Sequence, residues 1–101
     1  MSVKISSGFE LLQDLLKLRW VPEILKSISL GNDSYTQILD SIPYLSHTEL
    51  NRKLNILVER EAISKTGVAT SPCYTLNTFG EDLVHIFCHL EDLEEKYSKK
   101  N

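Results

Sequence analysis

The stretch SYTQILDSIPYLSHTELNRKLNILVERE, residues 34–61, contains two helix starts close together. Ser34 is followed three residues later by Gln37, and Ser46 is followed at the same distance by Glu49. This is the spacing of a capping box, in which the two side chains satisfy free backbone amides at the first turn of a helix. The segment therefore predicts two successive helices.

The connection between these helices lies at residues 42–45, because Pro43 cannot continue the first of them. The second helix is predicted over residues 46–61. Its inner face carries apolar side chains at helical spacing, namely Leu50, Leu54 and Leu57. Each residue is rotated by about 100° from the one before it, so the opposite face carries Thr48, Arg52, Asn55 and Glu59. Two short helices around a tight turn predict a helix-turn-helix, whose second helix is the recognition helix.

The period of the pattern changes after this helix. Residues 62–66 and 73–76 predict two short strands, which form a wing hairpin over residues 62–76 with its tip at residues 67–72. A last helix is predicted over residues 78–97, capped by Asn77 or Thr78, and Thr78 and Glu81 have the spacing of a capping box.

Two further helices are predicted before the helix-turn-helix. The pair Ser7 and Glu10 opens the first, which reaches Leu18, and Pro22 suits the first turn of the second. The element order is α-α-α-α-β-β-α. The sequence thus predicts a mainly α (α+β) fold, a winged helix-turn-helix that occupies residues 1–101 as one domain.

Length and composition set limits on function. The chain has 101 residues, an apolar fraction of 42% and a formal net charge of −3, which suits one small globular domain and excludes DNA binding through bulk charge alone. No apolar run approaches a membrane span and no signal peptide is visible. Two cysteines are too few for a disulfide scaffold, so we expect a reducing cytoplasm.

Several motifs in order make the sequence resemble the HxlR family of small bacterial winged-helix transcription regulators, from about Ser7 to Tyr97. The matching residues are Arg19-Trp20, Gly31, Tyr35, Ser46, Leu50, Lys53, Leu54, Leu57, Tyr74, Leu76 and Gly80. The resemblance implies sequence-specific binding to double-stranded DNA.

Three departures from the family pattern matter. Lys53 replaces an arginine, which keeps the charge but loses the bidentate fork. Ser71 stands where members often carry a basic wing residue, and the wing tip has no charge. Ser7 stands where many members have a cysteine, and a hydroxyl cannot act as a thiolate, so thiol sensing at this position is not expected.

The DNA-binding surface implied by the resemblance is the start and outer face of the recognition helix. Ser46, His47 and Thr48 lie at its amino end, where free amides favour a phosphate. Asn51, Arg52 and Asn55 are side-chain types that reach base edges. Arg19 and Lys53 are assigned to the DNA backbone, and Lys65 is also assigned to the DNA-binding surface. On helical spacing alone, the solvated face of an amphipathic helix is the favoured interpretation of these residues. The order of the motifs and the resemblance favour DNA binding instead.

The last helix carries more apolar surface than one small core needs. Its stripe comprises Leu83, Ile86, Phe87, Leu90, Leu93 and Tyr97. In the family the first and last helices build a two-fold dimer, and the resemblance implies a homodimer here, with Phe9 and Leu12 contributed by the first helix. Such a dimer would bind a pseudo-palindromic operator. In the alternative, Val84 and Cys88 complete the monomer's core.

No catalytic motif, cofactor site or metal site is predicted. His85, Cys88 and His89 have metal-ligand side chains on the last helix, but a solvated face is favoured because no second ligand cluster exists. Trp20 is interpreted as a core anchor. The competing functional hypothesis is a winged-helix module for protein interaction that binds DNA weakly or not at all, which the uncharged wing favours.

Overall fold

The computed structural model describes residues 14–15 and 18–98. Within them the chain forms helix α1 (Val21–Ser29), helix α2 (Tyr35–Ser41), helix α3 (His47–Glu59), strands β1 (Ile63–Val68) and β2 (Ser71–Leu76), and helix α4 (Thr78–Ser98). Asp14 and Leu15 are helical, and the rest of the predicted first helix, with Phe9 and Leu12, lies outside the described residues. The mainly helical winged helix-turn-helix fold is confirmed.

Helix starts follow the predicted capping residues in two of three described cases. At α2, the Ser34 hydroxyl accepts a hydrogen bond from the Gln37 backbone amide at 3.2 Å. The Gln37 side-chain oxygen accepts one from the Ser34 backbone amide at 3.4 Å, which completes the capping box. At α3, Ser46 accepts from the Glu49 amide at 3.1 Å. Thr78 does not cap α4, because it is already the first helical residue.

The core lies where α1, α2, α3, the hairpin and α4 meet. The inner face of α3 behaves as predicted, with Leu50, Leu54 and Leu57 buried. The other large buried side chains come from every remaining element: Leu15, Ile24, Leu25, Ile38, Ile63, Tyr74, Leu83 and Phe87. Trp20 is half-buried against this cluster, in agreement with its interpretation as a core anchor.

Close backbone packing explains the glycine of the family motif. Gly80 lies in the first turn of α4, against the backbone that enters β1. A Cβ at Gly80 would collide with the carbonyl oxygen of Ala62. Only glycine therefore lets the last helix pack this closely on the start of the wing.

The wing hairpin is longer than predicted. Its strands pair antiparallel from Ile63 with Leu76 to Val68 with Ser71, so the turn is reduced to residues 69–70. The prediction of a tip over residues 67–72 was wrong, because backbone pairing continues through small and polar side chains that carry no alternating pattern. On the other side, β2 is tied to the start of α2, where the Tyr74 amide donates to the Asp33 carbonyl at 2.7 Å.

Candidate nucleic-acid interface

The outer face of α3 presents a row of polar side chains. Six of the predicted DNA-binding residues are exposed on this helix or at its cap: Ser46, His47, Thr48, Asn51, Arg52 and Asn55. The buried leucines behind them fix the helix to the core, so its polar face has one orientation relative to the rest of the domain. This face can offer amide and guanidinium donors to base edges and backbone amides to a phosphate.

The amino end of α3 is held to α2 by one aromatic pair. The rings of Tyr35 and His47 stack with their centroids 5.8 Å apart. The Tyr35 hydroxyl donates to the His47 carbonyl oxygen at 3.0 Å, and His47 Nδ1 lies 3.3 Å from the same hydroxyl. The sequence does not predict this contact, because residues twelve positions apart share no local pattern.

Lys53 does not occupy the solvent-facing position that was expected of a phosphate contact. Its side chain is only 7% exposed, and its Nζ donates to Glu49 Oε1 at 2.6 Å. Lys53 lies beside the apolar stripe of Leu50 and Leu54, so its aliphatic stem packs inward while the ammonium reaches a partner one turn back. The position of this residue therefore differs from the prediction.

Arg52 remains available on the outer face. Its side chain is 65% exposed, and one guanidinium nitrogen, Nη1, lies 3.7 Å from Glu49 Oε2. Because a guanidinium has five N–H donors, this single loose contact leaves most of them free. From the sequence, Glu49 was predicted only as the capping partner of Ser46, although its spacing from Lys53 is that of an i,i+4 ion pair.

The remaining two predicted DNA-binding residues are exposed and lie outside α3. Arg19 lies before α1 with its guanidinium carbon 4.7 Å from the centroid of the Trp20 ring. Lys65 is exposed on β1, opposite Tyr74 in the hairpin register. The wing beyond Lys65 is exposed and uncharged through Ser71.

The apolar stripe of helix α4 has a buried part and an uncovered face, which are neighbours on the helix. Leu83 and Phe87 are buried in the core of the subunit, so their assignment to a dimer interface is corrected. Val84 packs against the same core, whereas Cys88 is exposed. The uncovered face consists of exposed apolar side chains at helical spacing along the distal half of the helix: Ile86, Leu90, Leu93 and Tyr97.

A groove of about 300 Å³ runs between α1 and α4. Pro22, Val84, Phe87 and Leu90 line it, together with polar side chains at its rim. Lys26 donates across the groove to Glu91 at 2.9 Å, and this hydrogen bond raises the pKa of the Lys26 ammonium above its usual value. The ion pair thus joins the two helices beside the groove.

Across residues 14–15 and 18–98, no group of three or more potential ligand side chains is placed to hold a metal ion. In the same part of the chain, no helix is long and apolar enough to cross a membrane.

A helix-turn-helix whose second helix is the recognition helix, followed by a two-stranded wing, defines the winged helix-turn-helix class. The model of the HxlR-like helix-turn-helix family matches residues 15–101, and the chain belongs to this family. No curated protein matches the sequence.

Solved structures share the fold at low sequence identity. The reduced form of the transcriptional regulator YodB from B. subtilis aligns with a TM-score of 0.79 and 23% identity, over 93% of this chain and 95% of that one. A possible HxlR family transcriptional factor from Thermoplasma volcanium aligns with a TM-score of 0.74 and 20% identity, over 88% and 83%. A MepR mutant from S. aureus aligns with a TM-score of 0.66 and 19% identity, over 94% and 81%.

Proposed function

We propose that this protein is a transcription regulator that binds a pseudo-palindromic DNA operator as a homodimer. The observation that carries the proposal is the outer face of α3, where Asn51, Arg52 and Asn55 are all exposed on a helix anchored by buried leucines. Asparagine pairs with adenine and arginine with guanine in the major groove. Family membership and the likeness to the regulator YodB support a role in transcription.

The dimensions of α3 suit the major groove. Its 13 residues make a rod about 20 Å long, and the groove accepts one helix. The capped amino end, at Ser46 and His47, combines free backbone amides with exposed side chains, and such an end attracts a phosphate.

A dimer is supported by the distal half of α4. Residues 91–98 are all exposed, so the helix extends beyond the body of the subunit with Leu90, Leu93 and Tyr97 on one side. Burial of this stripe against a second copy is the simplest way to remove it from water. A two-fold arrangement would then present two recognition helices to successive half-sites.

Charge distribution agrees with this orientation. Residues 46–80 have a net charge of +1, and residues 81–101 have a net charge of −3. The acidic end therefore lies on the proposed dimerisation helix and not on the proposed DNA face. A location in the cytoplasm, where DNA is accessible and thiols stay reduced, fits the free cysteines Cys73 and Cys88.

The competing proposal is a protein-interaction module. It is favoured by the wing, whose exposed residues 66–71 offer no charge to a phosphate. An interaction module would bind selected DNA no better than random DNA, whereas an operator-binding protein discriminates by a factor of about a thousand or more.

Selection of genomic fragments by the purified protein tests the proposal. A duplex enriched in the selection should bind far more tightly than random DNA, and Asn51→Ala with Asn55→Ala should remove about 1–3 kcal/mol for each lost base contact. Glu95→Ala, on the exposed end of α4, is the control and should leave binding unchanged. If no sequence is enriched, the interaction module is the better description.

A further inference from the structure

One carboxylate of α3 contacts both the arginine and the lysine of this helix. Glu49 accepts a hydrogen bond from Lys53 at 2.6 Å through Oε1, and its Oε2 lies 3.7 Å from Arg52 Nη1. The hydrogen bond from Lys53 lowers the pKa of Glu49, the charges of Lys53, Arg52 and Arg19 lower it further, and partial desolvation opposes them. Glu49 therefore stays ionised throughout the neutral pH range.

The carboxylate is also accessible from outside. Glu49 lies in the first turn of α3, one residue after Thr48, and its side chain is 36% exposed. A phosphate that approaches this end of the helix meets the negative charge of Glu49 together with the positive charge of Arg52. Lys53 holds the Oε1 atom of Glu49, but its side chain is buried and offers no exposed cation to the phosphate.

We propose that Glu49 is a specificity-determining residue, which keeps the Arg52 guanidinium on the recognition face and weakens its attraction to DNA phosphates. The proposal rests on the proposed function. Glu49 touches no base in this scheme and acts through Arg52, so it is a positioning residue.

The reason lies in the difference between the two modes of DNA binding. Binding to random DNA depends almost entirely on cations that neutralise phosphates. An acid that is already paired with Arg52 therefore lowers the affinity for random DNA directly. Binding to an operator uses the directional donors of Arg52 on a base edge, and a guanidinium can keep one contact with Glu49 while two other donors pair with guanine. Glu49 therefore lowers the affinity for random DNA more than it lowers the affinity for the operator.

The size of the effect follows from the geometry. An exposed ion pair at i,i+3 spacing is a weak interaction, so removal of the carboxylate should change the affinity for random DNA by a factor of about 1.4 to 5 for each subunit. In a dimer the two factors multiply. The ratio of operator affinity to random-DNA affinity should thus fall several-fold, by at least about twofold, when the carboxylate is removed.

Three variants separate this effect from folding and from bulk charge. Glu49→Gln removes the acid but leaves the Lys53 ammonium buried without its partner. The double variant Glu49→Gln with Lys53→Met removes both members of the buried pair and keeps the net charge of the natural chain. Glu59→Gln removes an exposed acid from the far end of the same helix and is the matched control.

The measurement is fluorescence anisotropy of a labelled random duplex and of the selected operator, each at several salt concentrations. The double variant should bind random DNA more tightly, with a salt slope steeper by about 0.9 for each additional phosphate neutralised. Its ratio of operator to random affinity should fall, and Glu59→Gln should leave the ratio unchanged.

The possible failures are distinguishable. If the natural protein shows no preference for any selected duplex, the proposed function is wrong and the role of Glu49 falls with it. If the natural protein discriminates but the double variant keeps the same ratio, only the inference about Glu49 is overturned. An equal loss of the ratio in Glu59→Gln would also overturn it, because removal of any acid from α3 would then have the same effect as removal of Glu49.

Discussion

Tyr35 of α2 joins the first residue of the recognition helix by both a ring stack and a hydrogen bond. The ring centroids of Tyr35 and His47 are 5.8 Å apart, and the Tyr35 hydroxyl donates to the His47 carbonyl at 3.0 Å. Desolvation raises the pKa of the Tyr35 hydroxyl, so it stays a donor at neutral pH. The pair fixes the angle between the two helices at the point where α3 would enter the groove.

Removal of this hydroxyl should loosen the helix-turn-helix. Tyr35→Phe keeps the ring but loses the hydrogen bond, and we expect the free energy of unfolding to fall by about 0.5–1.5 kcal/mol. Urea unfolding measures the change. Tyr44→Phe is the control, because the Tyr44 side chain is 97% exposed. Equal losses in both variants would show that the contact between Tyr35 and His47 contributes nothing.

The turn between α2 and α3 contains a residue in a strained conformation. The Leu45 amide donates to the Ile42 carbonyl at 3.3 Å, and Tyr44 has φ +70°, in the third position of a turn where glycine is favoured. Tyr44→Gly should therefore stabilise the protein by about 0.5–1 kcal/mol, as measured by urea unfolding. Tyr44→Ala keeps the strain and should give no gain; a gain in Ala equal to that in Gly would contradict the backbone explanation.

The uncovered face of α4 predicts a change of assembly on mutation. Leu90→Asp places a charge in the proposed dimer seam and should yield a monomer at micromolar concentration, because burial of an unpaired charge is costly. Light scattering gives the mass. His89→Asp, on an exposed position outside the apolar stripe, should remain a dimer. A single-subunit mass for the unmodified protein would refute the dimer.

Arg52 and Lys53 should behave differently although they are neighbours. Arg52→Ala should cost about 1–3 kcal/mol on a selected operator for each subunit and relax the preference at one base pair of each half-site. Half-sites should be centred about one helical turn apart. Binding isotherms on operator and random DNA test this expectation. Equal losses on both DNAs would make Arg52 a phosphate contact only.

Lys53→Ala is expected to act mainly on folding. The substitution leaves a cavity beside the leucine stripe and deprives Glu49 of its hydrogen bond, so the midpoint of urea unfolding should fall. A variant with unchanged stability and weaker binding to every DNA would restore the original assignment of Lys53 to a phosphate.

Cys73 should react slowly with electrophiles at neutral pH. Its thiol donates to Asp33 at 3.4 Å, and this hydrogen bond, together with desolvation and the charge of Asp33, raises the pKa of Cys73. Because the thiolate is the reactive form, alkylation should begin at a higher pH than for an ordinary cysteine. The rate with iodoacetamide against pH, in a Cys88→Ser background, measures this.

Asp33→Asn removes the charge beside the thiol and should shift the alkylation profile to lower pH. An unshifted profile would contradict the assigned cause.

Since Ser7 cannot form a thiolate, mild peroxide should also leave operator binding unchanged.

Local patterns in the sequence determined the elements of this protein. The capping pair Ser34 and Gln37, the spacing of Leu50, Leu54 and Leu57, and the change of period after residue 61 each depend on residues a few positions apart. Such interactions form within one helix or one hairpin, so their type and approximate bounds follow from the chain alone. The exposed polar face of α3 follows from the same arithmetic.

The tertiary structure alone decided which neighbours cover each face. Helical spacing placed Leu83, Phe87 and Leu90 on one broad stripe, but only the packing of α1 and the hairpin shows that the first two belong to the core and that Leu90 is left uncovered. The stacking of Tyr35 on His47 likewise joins different helices. Periodicity fixes the direction of a side chain about its own axis, whereas burial depends on what the rest of the chain brings against it.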